Sequence, residues 1–339
     1  MLSAYGFPFL LAALVSYILT PYIKTLAFKI GAIDKPDNRK VHKKIMPRLG
    51  GLAIYIAFMI AAVASLELTK DIVGILLGGS VIAIVGALDD KYQLPAKVKL
   101  LGQIFAACVL VAFDIRIEWL NNPFGGYFYL NEWFISIPLT IFWVISFTNV
   151  VNLIDGLDGL AAGVSAIASM TVILVAVQMG YYHIAVMTAA LAGGIIGFIR
   201  YNFNPATIFM GDTGSMFIGY MLAAISVYGA VKTAATVALI VPAIALGLPI
   251  MDTAFAIMRR YSNGRPIFQP DKGHLHHRLL AMGMNQKQAV LLMYAITAVL
   301  GIAAVLWAEF DGFYAALIIA VIITAVAVGA KKIGILNDR

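Results

Sequence analysis

The sequence predicts an all-α integral membrane protein with about eleven transmembrane helices, built as a single domain over residues 1–339. Of its residues, 62% are hydrophobic and 12% are charged, and the mean hydropathy is +0.92. A soluble domain carries roughly 25% charged residues, so this chain has too few to cover a water-facing surface. Its apolar residues fall in long runs, and its basic residues fall in alternate loops.

A helix needs about 20 mostly apolar residues to cross a bilayer. Eleven stretches approach that length, and no polar stretch is long enough to form a second domain. The predicted spans are residues 6–23, 49–68, 72–88, 98–115, 133–151, 159–179, 183–199, 208–230, 234–258, 288–308 and 313–330. The first stretch has no basic residue before its apolar run, unlike a secretory signal peptide, so we expect a retained helix.

The distribution of the basic residues predicts the orientation of these spans in the membrane. Of the 24 Lys and Arg, 21 fall in loops on one side of the predicted spans and 3 on the other. Cytoplasmic loops carry an excess of Lys and Arg, so we expect the N-terminus outside and the C-terminus in the cytoplasm. The net charge of +7 is explained by these loops and does not indicate a nucleic-acid partner.

One predicted outer loop contains a candidate β-hairpin. Residues 115–119 alternate in polarity, residues 121–126 are typical of a turn, and residues 127–130 are rich in aromatic side chains. The alternative is an interfacial belt of aromatic residues.

Acidic residues are few, and four groups of them lie at the predicted cytoplasmic ends of spans. A carboxylate at membrane depth is costly and is usually functional. The groups are Asp89 with Asp90, Asp155 with Asp158, Asp212, and Asp252. Their position on one side predicts a convergent site for anionic substrates and a lipid co-substrate.

The first two acidic groups differ in their predicted surroundings. Asp89 and Asp90 repel one another and need a cation or a basic neighbour, although they could also cap a helix. Asp155 and Asp158 are each followed by glycine, which favours a bend at the membrane surface. Asn149 and Asn152 precede them, and such polar groups between apolar runs need a polar partner.

Two further segments indicate phosphate chemistry. Residues 209–215 combine two glycines with Asp212 and two hydroxyls, which favours a Mg²⁺ ligand beside phosphate oxygens. The cluster His274, His276, His277 and Arg278 lacks the Cys partners and the spacing of a zinc site. With Arg265 and Lys272 it resembles a phosphate clamp, or else a solvated basic loop attracted to anionic lipids.

Together these motifs resemble the polyprenyl-phosphate N-acetylhexosamine-1-phosphate transferases. The resemblance extends from Pro47-Arg-Leu-Gly-Gly51 to Arg278. Its most specific blocks are Asn149-x-x-Asn-x-x-Asp-Gly-x-Asp-Gly159 and Phe209-Met-Gly-Asp-x-Gly-Ser215.

The resemblance implies roles for individual residues. Asp89 and Asp90 match the paired acidic residues, with Asp89 as the better candidate base for the lipid phosphate, and Asp212 matches the magnesium ligand. The other matches are Asn152 and Asp155 at the catalytic centre, Asp158, Asn202 and Phe209 in a uridine pocket, Lys43 near the nucleotide, and His274, His276, His277 and Arg278 near the sugar and diphosphate.

The implied reaction transfers GlcNAc-1-phosphate from UDP-GlcNAc to undecaprenyl phosphate and releases UMP. The implied cofactor is Mg²⁺, with Mn²⁺ as an alternative, and the implied setting is the bacterial plasma membrane, with a homodimer expected. The loop Lys272-Gly-His-Leu-His-His-Arg278 favours a plain UDP-N-acetylhexosamine over a muramyl-pentapeptide donor, as in enzymes that begin teichoic acid or O-antigen synthesis.

Two other classes compete with this interpretation. An ion-coupled transporter would also be polytopic, but its site usually lies near the bilayer midplane, often between inverted repeats. A CDP-alcohol phosphotransferase typically shows an Asp-Gly-x-x-Ala-Arg run, which this sequence lacks.

Overall fold

The computed structural model describes residues 2–36, 44–121, 127–130, 132–233, 237–262, 264, 273–309, 321 and 324. The helices among them are α1 (Leu2–Ile30), α2 (Gly51–Ser65), α3 (Lys70–Tyr92), α4 (Ala96–Ala112), α5 (Trp133–Leu153), α6 (Leu160–Gln178), α7 (Tyr182–Asn202), α8 (Gly211–Thr233), α9 (Val237–Ala245), α10 (Gly247–Ser262), α11 (Leu275–Ala281) and α12 (Gln286–Glu309). The strands are β1 (Ile33–Asp34), β2 (Met46–Pro47), β3 (Trp119–Asn121) and β4 (Tyr127–Tyr129).

The helices confirm a mainly α-helical protein with several membrane-capable spans. Seven described helices are long and apolar enough to cross a bilayer, or eight if α9 and α10 count as one bent span. The count of eleven is not confirmed. Helices α2 and α4 coincide with predicted spans but have 15 and 17 residues. The predicted span 313–330 lies outside the described residues, apart from residues 321 and 324.

The predicted span over residues 234–258 is broken into two helices. Helix α9 ends at Ala245, and α10 begins at Gly247 with its axis turned by 74°. The cause is Pro249, which lacks an N–H and whose ring would clash with the carbonyl four residues earlier. That carbonyl belongs to Ala245, so the helix breaks there.

Helix α8 lies at the centre of the bundle. Every residue from 213 to 230 is buried, and the helix packs against α2, α3, α5, α7 and α9. Helix α2 approaches its first turn so closely that a side chain on Gly51 would overlap the backbone of Gly214. Small residues thus let the two helix starts meet, which brings Asp212 next to the segment before α2.

Both strand pairs are antiparallel. In the predicted hairpin, Trp119 pairs with Tyr129 and Asn121 with Tyr127, which confirms the pairing, while its turn, 122–126, lies outside the described residues. The Trp119 indole N–H donates to the carbonyl of Ala230, 3.0 Å away, and so holds β3 against α8. The second pair, β1 with β2, leads the chain from α1 into Arg48.

Candidate functional site

A cavity of about 370 Å³ opens where α5 and α7 end and α4 and α8 begin. The structure brings seven of the sequence-predicted residues to its wall. These are Asn152, Asp155, Asp158, Asn202, Phe209, Asp212 and His277. Motifs spread over more than 120 residues of sequence therefore meet at one end of the bundle.

Two cations hold the carboxylate of Asp212. Lys99 Nζ lies 2.8 Å from Asp212 Oδ2, and Arg48 Nη2 lies 3.2 Å from Asp212 Oδ1. Both cations line the cavity. Because Lys99 and Arg48 each have other carboxylate partners, Asp212 is the centre of a charged cluster.

Asp90 forms the floor of that cluster and is saturated with donors. Its Oδ1 accepts from Arg48 Nε at 3.1 Å and from the N–H of Asp212 at 2.8 Å. Its Oδ2 accepts from the N–H and the hydroxyl of Thr213, at 3.0 and 2.5 Å. A carboxylate has about four lone-pair sites, so no acceptor remains. Asp90 therefore caps α8 from α3 and fixes its first turn.

Asp89 points elsewhere than its neighbour. Its Oδ2 lies 3.4 Å from Lys99 Nζ and 3.9 Å from Arg48 Nη2. The residue is only 4% exposed and is not among the cavity-lining residues. Lys99 thus bridges Asp89 and Asp212, which places Asp89 directly behind the cavity wall.

The two asparagines have different surroundings. Asn152 lines the cavity and donates to Ser215 Oγ at 2.9 Å, which ties the end of α5 to α8. Asn149 instead pairs with Gln103, donating to Gln103 Oε1 at 2.7 Å and accepting from Gln103 Nε2 at 3.3 Å. Asn149 therefore joins α5 to α4.

Asp155 lies in the turn between α5 and α6, as the two following glycines predicted. Burial, with the carboxylates of Asp212 and Asp90, raises the pKa of Asp155 to about 8. A cation bound nearby would lower this pKa and favour the charged carboxylate.

Asp158 organises the loop between α7 and α8. Its Oδ2 accepts from Asn204 Nδ2 at 3.1 Å and from the N–H of Ala206 at 3.0 Å. Asn204 also donates to Gln286 Oε1 at 3.0 Å, at the start of α12. Asp158 and Gln286 both line the cavity, so this network shapes one side of it.

Asn202 and Phe209 flank the same loop. The amide nitrogen of Asn202 donates to the carbonyl of Ile208 at 3.1 Å, while its buried Oδ1 has no partner among the described residues. The backbone of Phe209 pairs with the chain before α2, since its N–H donates to the carbonyl of Pro47 at 2.8 Å. Asn202 and the aromatic Phe209 thus both line the cavity, with the unpaired oxygen of Asn202 buried in its wall.

The histidine cluster is layered. His277 lines the cavity, whereas His274 and His276 are 6% and 2% exposed and lie behind it. The ring of His276 contacts that of His277, with centroids 4.3 Å apart. Arg278 is not among the lining residues, and its Nε donates to the carbonyl of Gly273 at 3.0 Å. Of this predicted clamp, Arg265 and Lys272 lie outside the described residues.

Burial lowers the pKa of His276 to about 3, and the neighbouring His277 adds to this effect. His276 is therefore neutral over the physiological range. Its Nδ1 has no hydrogen-bond partner in the described part of the chain, and its other side packs against Gly156. The ring acts as packing between the histidine loop and the 154–159 turn.

The sequence analysis did not assign roles to four of the polar lining residues, which are Asp34, Arg48, Lys99 and Gln286. Arg48 lies inside the Pro47–Gly51 block, and Lys99 was counted among the basic loop residues, but neither position revealed its carboxylate partners. Lys43, the predicted nucleotide neighbour, lies outside the described residues.

No group of three His, Cys, Asp or Glu side chains among the described residues is arranged to hold a metal ion on its own. The donor set nevertheless suits Mg²⁺, which usually takes one or two carboxylates and completes its shell with phosphate and water. The ammonium of Lys99 between two carboxylates shows that the cluster accommodates a cation.

Comparison with known proteins supplies the family. A model of glycosyl transferase family 4 matches residues 72–230. A probable undecaprenyl-phosphate N-acetylglucosaminyl 1-phosphate transferase of Bacillus subtilis is 41% identical, over 98% of this chain and 92% of that protein.

More distant relatives have related names. A decaprenyl-phosphate N-acetylglucosaminephosphotransferase of Mycolicibacterium smegmatis is 37% identical, over 94% of this chain and 86% of its own length. An undecaprenyl-phosphate alpha-N-acetylglucosaminyl 1-phosphate transferase of Escherichia coli K12 is 28% identical, over 86% of this chain and 80% of that protein.

Proposed function

Since this chain belongs to the polyprenyl-phosphate N-acetylglucosamine-1-phosphate transferase family, we propose that it transfers GlcNAc-1-phosphate from UDP-GlcNAc to undecaprenyl phosphate. The observation that carries this proposal is the shared cavity. It combines a carboxylate and two cations at Asp212 with an amide and an aromatic residue, Asn202 and Phe209. The first set suits a diphosphate, and the second suits a nucleobase.

The uracil of the donor binds at Asn202 and Phe209. The base has an N–H donor and a π-face, and Asn202 Oδ1 is a buried acceptor without a partner among the described residues. Leaving such an acceptor buried costs about 1–3 kcal/mol, which a bound N–H would relieve. Asp158 holds the loop between these residues in place.

The diphosphate binds beside Asp212, where Lys99 and Arg48 supply positive charge. Asp212 is the proposed Mg²⁺ ligand, with Mn²⁺ as an alternative, and Asp89 and Asp155 lie close enough to adjust the local charge. When bound, the metal ion would neutralise charge on the diphosphate and on the departing UMP.

An oxygen of undecaprenyl phosphate attacks the sugar-bearing β-phosphorus. A new P–O bond forms, the bond from the β-phosphorus to the UMP oxygen breaks, and UMP leaves with the bonding electrons. Asp89 is the proposed base that keeps the acceptor phosphate ionised. The other residues position and neutralise charge, which is the main catalytic need in phosphoryl transfer.

The motifs meet at the end of the bundle that carries most of the basic loops, so we place the active site on the cytoplasmic side of the bacterial plasma membrane. The product, undecaprenyl-diphosphate-GlcNAc, would begin a surface polysaccharide such as teichoic acid. A homodimer is the proposed assembly.

The test is a transfer assay with detergent-purified protein, undecaprenyl phosphate, Mg²⁺ and UDP-GlcNAc labelled in the sugar. We expect label in the organic phase, an equal amount of released UMP, and loss of both with EDTA. UDP-GalNAc and UDP-MurNAc-pentapeptide are run in parallel, because preferred use of either one would correct the proposed donor.

A matched pair of variants tests whether the measured transfer comes from this protein and not from a contaminating enzyme. Asp212→Asn should lower transfer by about 10²–10³-fold, whereas Asp71→Asn should not, since Asp71 pairs with Lys232 at the other end of the helices. Folded protein that labels no lipid with any of the three donors would remove the proposed reaction.

A further inference from the structure

Of the four acidic groups identified in the sequence, Asp252 is the one that the reaction above leaves without a role. It lies in α10 and is 4% exposed, and both of its oxygens are used. Oδ2 lies 3.0 Å from His274 Nδ1, and Oδ1 accepts from the N–H of Leu275 at 2.8 Å. A buried carboxylate with two contacts to one loop is an anchor, because releasing the loop would leave a buried charge unpaired.

The contacts also fix the histidine. An ionised Asp252 can only accept, so it pairs with the form of His274 that carries a proton on Nδ1. His274 is the N-cap residue of α11, and Leu275 is its first residue, so one side chain of α10 holds both the ring and the start of α11. α10 contacts the same loop again, where the guanidinium of Arg259 packs against Gly273.

From this anchor a line of rings leads to the cavity. The ring of His274 is stacked on that of His276, with centroids 5.8 Å apart and planes at 7°. His276 in turn contacts His277, whose side chain lines the cavity. His274 is 6% exposed and is absent from the cavity wall, so it can influence the substrate only through its neighbours.

We propose that Asp252 and His274 form a positioning pair that fixes α11 against α10 and thereby holds His277 at the sugar-nucleotide site. His274 then supports the loop and does not itself contact the substrate. This inference rests on the proposed function, since the ligand held by His277 is the sugar or diphosphate of the donor.

The helix that carries Asp252 also has exposed apolar side chains. Beyond the break at Leu246, Ile257, Met258 and Tyr261 of α10 are 40%, 56% and 80% exposed. The pair thus connects this helix to the loop that carries His277.

The experiment compares Asp252→Asn, His274→Gln and the double variant of the full-length protein in detergent. We expect each single variant to raise the KM for UDP-GlcNAc about tenfold or more, the scale of a lost hydrogen bond to a charged group. The KM for undecaprenyl phosphate should stay unchanged. Because the two residues act as one unit, the double variant should be no worse than either single variant.

A second readout does not require activity. Hydrogen exchange of residues 274–281 should accelerate in Asp252→Asn and in His274→Gln, and should not change in Asp71→Asn, a matched carboxylate whose partner is Lys232. If the wild type shows no transfer, the proposed function fails, while exchange still decides whether the pair anchors α11.

Three results would overturn the positioning pair. The first is unchanged exchange in both single variants, and the second is faster exchange with an unchanged KM for the donor. The third is a double variant whose KM change equals the product of the two single changes, since that shows independent residues. If Asp252→Asn does not fold, His274→Gln decides alone, because its smaller change leaves the buried carboxylate with the Leu275 N–H.

Discussion

Arg48 should be the residue whose loss most disturbs the carboxylate cluster. Its guanidinium lies 3.1 Å from Asp90 and 3.2 Å from Asp212, and it reaches Asp89 at 3.9 Å. Replacing it with methionine keeps the length and apolar stem of the side chain but removes its charge and donors. The informative consequence is the state of Asp90, whose side chain is fully buried.

The magnitude follows from these contacts. Removing one partner of a buried ion pair costs about 3–5 kcal/mol, because the remaining charge is left uncompensated. Asp90 keeps three other donors, and the Arg48 side chain is 20% exposed, so the penalty should be smaller. We expect Arg48→Met to lower the free energy of unfolding by about 2–3 kcal/mol.

The assay is chemical denaturation in mixed detergent micelles, followed by tryptophan fluorescence. Its control is Lys70→Met, because the Lys70–Asp114 pair is mostly exposed and should contribute little. A double-mutant cycle with Asp90→Asn tests the cause. If the cost comes from the unpaired charge, Asp90→Asn should be milder by about 1–2 kcal/mol in the Arg48→Met background. Strict additivity, or a loss no larger than that of Lys70→Met, would refute the reasoning.

Three further predictions concern the metal, the helix contact and pH. Asp212→Asn should lower kcat by about 10²–10³-fold, and normal turnover with normal Mg²⁺ dependence would contradict the metal assignment. Gly51→Ala should lower the free energy of unfolding by about 1–3 kcal/mol, since its Cβ would overlap the α8 backbone, whereas Gly6→Ala has open space and serves as control. The pKa of His276 in the folded protein lies near 3, below its ordinary value of 6.5. Neutral His276 therefore contributes fully to the free energy of unfolding above pH 6.5. Between pH 6.5 and 3 that contribution falls by up to about 1.4 kcal/mol per pH unit. The unfolding free energy of wild type should therefore fall more steeply from pH 7.5 to 5.5 than that of His276→Asn, and parallel curves would contradict this. The control is His183→Gln, at an exposed histidine, which should follow wild type.

The fold class could be predicted from hydropathy because bilayer thickness sets helix length directly. The break between α9 and α10 could not be read in the same way, because an averaged window of residues 234–258 stays apolar across it. The local signal was Pro249, whose missing N–H interrupts the backbone hydrogen bonds of the helix without making the sequence more polar. The predicted ends of α2 and α4 were a few residues too late for a related reason, since the buried apolar residues Leu66 and Ile115 follow the last helical residues.

Within the site, the residue types indicated the chemistry but did not show which side chains contact one another. Asn149 and Asn152 were equivalent in the sequence, three residues apart and both polar among apolar neighbours. The structure separates them, because Gln103 on α4 satisfies Asn149 while Asn152 turns towards Ser215 and the cavity. Such a distinction depends on contacts across more than 40 residues of sequence. The same holds for Arg48, whose partners are 42 and 164 residues away.

The adjacent pair Asp89 and Asp90 shows what geometry adds to a motif. Successive residues of a helix point about 100° apart, so the two neighbouring carboxylates on α3 have different main partners, although Arg48 reaches both. Asp90 turns into the start of α8, where four donors occupy both of its oxygens. A base must accept a further proton, and Asp90 could do so only by giving up the contacts that hold Asp212 in place. Asp89 makes no contact of that kind. It shares its partner Lys99 with Asp212, so a change of charge at Asp212 acts on Asp89 through Lys99. We therefore propose a positioning role for Asp90 and keep Asp89 as the proposed base.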